Sequence, residues 1–143
     1  MSSETREICA LNDHLRKNPS TGLAVITPGV AALGPEAVKR IVKTVSVYDD
    51  FCHANDPHEE HDFGSFEADG QTIFFKIDYY DKNLSRHSDD PADPTITERV
   101  LTIMFEYLLG WKYFSAVSLS GEIEFGWSCR LLIFLIHGVR HKV

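Results

Sequence analysis

The stretch FGSFEADGQTIFFKIDYYD, residues 63–81, constrains the fold more than any other part of the chain. Asp69-Gly70 is a strong two-residue turn signal, and the residues on both sides alternate in polarity. Closing a hairpin there pairs Ala68 with Gln71, Phe66 with Ile73 and Gly64 with Phe75. Counting on, it pairs His61 with Asp78. One face then carries Phe66, Ala68, Ile73, Phe75, Ile77 and Tyr79, and reads as the core side. The other carries His61, Phe63, Ser65, Glu67, Thr72, Phe74, Lys76 and Asp78.

Helices and one further strand are expected around this hairpin. Residues 4–17 place Ile8, Leu11 and Leu15 at helical spacing. LAVIT, 23–27, reads as a short buried strand stopped by Pro28-Gly29. A second helix begins near Pro35-Glu36 and carries Val38, Ile41, Val42 and Val45 on one side. A third helix is expected after Asp93-Pro94, because Thr95 and Glu98 have the spacing of a capping box and Val100, Leu101, Met104, Phe105 and Leu108 follow at helical intervals. The order α-β-α-β-β-α predicts an α+β domain over residues 1–107, with about three helices packed on a small antiparallel sheet. Residues 108–143 differ in composition and read as a C-terminal extension.

The chain has 143 residues and a net charge of −7, and 43% of it is hydrophobic, which suits one globular domain and argues against direct binding to duplex nucleic acid. The three cysteines, Cys9, Cys52 and Cys129, are widely spaced, which predicts reduced thiols and a cytoplasmic location. The longest apolar run, LLIFLI at 131–136, is too short to span a bilayer, so no membrane association is expected. Residues 49–93 hold thirteen Asp or Glu against three Lys or Arg. That asymmetry suggests a partner with a basic face.

The candidate site is NDPHEEHDFG, 55–64. Asp56, Pro57 and Glu59 have the pattern of a helix start with an aspartate cap. On one helical turn, His58 and His61 project to the same side. The hairpin register adds Asp78 and Lys76. Two chemical readings follow. In one, His58, His61 and Asp78 ligate a divalent metal. In the other, His61, Asp78, Lys76 and Glu60 form an acid–base site, with Glu60 as base and Lys76 stabilising negative charge. The competing reading is structural: capping explains Asp56 and Glu59, and His61 beside Asp78 is a cross-strand pair. Complete nucleotide-binding, hydrolase and zincin motifs are missing. Cys52-His53 is a weak nucleophile candidate, since adjacent residues rarely face each other.

The segments VITPGVAAL (25–33), YDDFCHANDPHEEHDFGSFEADGQTIFFKIDYYD (48–81) and DPADPTITERVLTIM (90–104) resemble a bacterial family of unknown function, DUF3768, over about residues 8–106. The string NDPHxEHDFGxF followed by KIDYYD is the family's hallmark. It falls here on Asn55, Asp56, Pro57, His58, Glu60, His61, Asp62, Phe63, Gly64, Lys76, Asp78, Tyr79, Tyr80 and Asp81. The resemblance implies a small bacterial protein, often associated with mobile elements, and it implies no activity. The expectation is a non-enzymatic acidic binding or regulatory module, with a metal-dependent or acid–base hydrolase as the alternative.

Overall fold

A computed structural model describes residues 1–105; the extension expected from residue 108 lies outside the described residues. Helix α1 (Ser3–Lys17) leads through a 3-10 turn to strand β1 (Leu23–Ile26). The short helix α2 (Pro28–Ala31) and helix α3 (Pro35–Val47) follow, then β2 (Phe63–Ala68), β3 (Gln71–Asp81) and β4 (Thr97–Phe105). The sheet order is β1-β4-β3-β2.

The hairpin has the expected register. Ala68 pairs with Gln71, Phe66 with Ile73 and Gly64 with Phe75. Asp69 and Gly70 take φ of 51° and 73°, the pair of positive values that a type I′ turn requires. The first two of the three expected helices form. In α1 the Ser2 hydroxyl accepts from the Thr5 N–H at 3.0 Å, capping the first turn. Pro35 opens α3, where its missing N–H costs nothing.

Two expectations need correction. The third helix is strand β4, which joins β3 antiparallel and β1 parallel, so the sheet is mixed. Thr95 caps no helix: its N–H and hydroxyl both bond Asp93 Oδ1, at 2.8 and 2.6 Å, in a local turn. Both faces of β4 are buried, with Val100, Leu101, Ile103, Met104 and Phe105 each at most 6% exposed. A strand buried on both faces has no polar alternation, and its apolar run then imitates a helical stripe.

Leu15, Val30, Ile41 and Val45 from the three helices pack against Ile73, Phe75, Ile77, Leu101, Ile103 and Phe105. The helices therefore cover one face of the sheet, called inner below. Gly64 shows how tight this layer is. A Cβ there would lie 2.5 Å from the Phe75 ring and 2.7 Å from the Tyr48 ring.

Candidate functional site

The segment after α3 folds as a set of hydrogen-bonded turns, and the helical turn expected after Asp56 does not form. Asn55 and Asp56 hold it. Asn55 Oδ1 accepts the Cys52 N–H at 2.8 Å, and its amide donates to the Asp50 carbonyl at 2.8 Å. Asp56, only 4% exposed, accepts the Glu60 and His61 N–H groups at 2.9 and 3.2 Å. The expected cap thus exists in altered form: Asp56 closes a loop where the sequence suggests a helix start. Glu59 and His61 take φ of 59° and 56°, a left-handed backbone uncommon for such residues. The Asp56 carboxylate holds that conformation in place.

The turn at His61 ends the strand pairing. The ladder closes with Phe63 opposite Lys76, and the Asp62 carbonyl accepts the Ile77 N–H at 2.7 Å. His61 then leaves the sheet edge, so the register expected to bring it to Asp78 is not realised. Its ring stacks on Phe51, with centroids 3.9 Å apart and planes 4° from parallel. Its Nδ1 lies 3.0 Å from Asp13 Oδ1 on α1. Asp78 pairs with Lys76 on the opposite, outer face of β3. His58 is exposed. Among the described residues, His58, His61 and Asp78 do not gather into a metal-sized group; Cys9, Asp13 and His61 do, with ligand atoms within 4.8 Å of one another. Glu60 points to the inner side, where its carboxylate accepts the Tyr79 hydroxyl at 2.9 Å.

Helix α1 supplies what the sequence reading missed. Asn12, fully buried, donates to the Glu60 carbonyl at 2.9 Å and the Tyr79 hydroxyl at 2.7 Å, and accepts from Arg99 Nε at 3.1 Å. One amide therefore joins α1, the loop, β3 and β4. Arg16, 2% exposed, donates to the carbonyls of Val45 and Tyr48 at 2.7 and 2.8 Å and so closes the C-terminal end of α3. Its guanidinium lies 5.0 Å from the Phe51 ring centroid and 2.7 Å from Asp13 Oδ1. A signal for this seam was present: Asn12 and Arg16 follow Ile8 at four and eight residues, which puts polar groups on the apolar side of the helix.

The electrostatics follow from these contacts. Burial alone would raise the Asp13 carboxyl, but hydrogen bonds from Arg16, His61 and Lys17 outweigh it and hold the group at about 2. Burial, reinforced by the charges of Asp13 and Asp56, pushes the Cys9 thiol up, so no thiolate nucleophile is prepared. Burial also drives the Tyr79 phenol upward, with Glu60 and Asp62 adding to the effect and the Asn12 hydrogen bond opposing it. Tyr79 stays a neutral donor to Glu60. Asp62 is raised by burial and then by the charges of Glu60 and Asp56. Elsewhere His87 stacks on Tyr80 at 5.4 Å.

Among the described residues no helix is long and apolar enough to cross a membrane. Neither the curated proteins nor the solved structures contain a match to this chain. The model of a family described as a protein of unknown function, DUF3768, matches residues 26–107, which is more than half of the chain and includes the 55–64 loop and strands β2, β3 and β4. Helix α1, the source of Cys9, Asn12, Asp13 and Arg16, precedes that span. The chain belongs to the DUF3768 family.

Proposed function

We propose that the protein is a non-enzymatic binding module whose working surface is the acidic region between residues 49 and 93, and whose partner is a protein with a basic face. One observation carries this reading. The carboxylates and the imidazole that suggested chemistry have internal partners: Asp56 the loop amides, Glu60 Tyr79, His61 Asp13, and Asp78 Lys76. Asp49, Asp50, Glu67 and Asp90 remain exposed. Inward groups hold the loop rigid, and exposed carboxylates supply the field that attracts a cation-rich partner. Mobile-element association and a regulatory role fit the same reading.

The test is capture of partners from an extract of the source cells at low and high salt. A variant with Asp49, Asp50 and Asp90 changed to lysine is run beside the native chain. The proposal expects a partner rich in Lys and Arg, retained at low salt, released at high salt and lost with the variant. Capture indifferent to both salt and charge reversal, or no capture, contradicts it.

A further inference from the structure

We propose that Cys9, Asp13 and His61 form a binding site for a divalent transition-metal ion, with zinc the ion best matched to a thiolate, a carboxylate and an imidazole. Cys9 and Asp13 are four residues apart on α1, which sets them on the same side of the helix. The loop brings His61 to that side from a distance of 48 residues in sequence. The three ligand atoms lie within 4.8 Å of one another, and all three residues are partly exposed. Zinc bonds of about 2.0–2.3 Å place tetrahedral ligands about 3.3–3.8 Å apart, so gathering the trio needs a closure of at most about 1.5 Å. The His61 to Asp13 separation of 3.0 Å is a hydrogen-bond contact that an ion would replace by opening the pair by about 0.3–0.8 Å.

The surroundings are those of a metal centre in two further respects. Arg16 and Lys17 donate to the Asp13 carboxylate at 2.7 and 3.0 Å, as outer hydrogen bonds orient a ligating carboxylate. On His61, Nδ1 lies toward Asp13, while Nε2 is 3.9 Å from Asp56 Oδ2. A metal on Nδ1 leaves the ring proton on Nε2, on the side of that buried carboxylate. Phe51 fixes the ring plane. Charge also balances. Binding releases the Cys9 proton to solvent, and the dication then meets one thiolate, one carboxylate and a neutral imidazole. The two cations beside Asp13 therefore face a neutral cluster. The fourth position is left to water, and the ion fastens α1 to the loop.

The test is a cobalt(II) titration of the full chain after EDTA treatment, followed by absorption, with zinc melting curves in parallel. The native chain and Cys52→Ser are expected to show a thiolate-to-cobalt charge-transfer band. Cys9→Ser is expected to lose it, and Asp13→Asn to weaken cobalt binding at least tenfold. Zinc at a hundred times its Kd should raise the native midpoint by roughly 5–10 °C, and do so far less in Cys9→Ser. Absence of a band in the native chain overturns the site without reference to any variant. A band that survives Cys9→Ser, or a zinc shift equal in both proteins, overturns it as well.

Discussion

Tyr79 and Asp78 are neighbours on β3 and face opposite sides of the sheet. On the inner side Tyr79 meets Asn12 and Glu60, and the Arg99 guanidinium lies 5.4 Å from its ring centroid. These contacts tie together segments 67 and 19 residues apart in sequence. On the outer side Asp78 pairs with Lys76, two residues away on the same strand. The two sides use the same kinds of group. They differ in what is at stake. A buried long-range polar contact leaves unsatisfied groups behind when it is broken, and a partly exposed local pair leaves groups that water can reach.

The largest expected effect is on the inner side. Arg16→Met removes the charged donor to the carbonyls of Val45 and Tyr48 at the end of α3, and should cost about 2–4 kcal/mol, because those carbonyls are left without it. Urea unfolding of the metal-free protein measures it; a loss under about 1 kcal/mol would erase the distinction drawn between the two sides. Gly64→Ala comes next. Its methyl must displace the Phe75 and Tyr48 rings, at a cost of about 1–3 kcal/mol. A neutral outcome would show that the aromatic layer yields more easily than its spacing indicates. On the outer side, Asp78→Asn should change stability by no more than about 1 kcal/mol, by the same measurement.

The smallest effect is a pH dependence. Hydrogen bonds from the Ser85 hydroxyl and N–H hold the Asp81 carboxyl below its usual value. A lowered folded-state value means that the stabilisation is complete above the unfolded value, about 3.9, and fades as pH falls through the folded one. Asp81→Asn should therefore flatten the acid limb of the stability curve only slightly below about pH 4 and leave the neutral region parallel to the native curve. A difference in slope between pH 6 and 8 would contradict this.

The hairpin was legible because its information is local: two turn residues with positive φ and strict alternation on both sides fix the register from Phe66–Ile73 to the turn. The helices α1 and α3 were legible for the same reason. Strand β4 was not, because burial on both faces removes the period that distinguishes a strand. The loop showed that its residues mattered, but its register with Asp78 assumed straight pairing past Phe63. The left-handed turn at His61 breaks that assumption, and no residue type in NDPHEEHDFG announces it. The partner that His61 found, Asp13, lies on a helix read only for its apolar spacing. Asn12 and Arg16, polar on the buried side of that helix, were the one visible sign of the seam.

The central claim is that a buried polar residue on the inner side of α1 locks the 55–64 loop to the sheet, through Asn12 and Tyr79. A double-mutant cycle with Asn12→Ala and Tyr79→Phe, followed by urea unfolding in EDTA, tests it most directly. The account predicts a coupling energy of about 1–2 kcal/mol, because the two side chains share one buried network. Effects that add within about 0.5 kcal/mol would mean that the two residues act independently and that the Asn12 to Tyr79 contact does not lock the loop to the sheet.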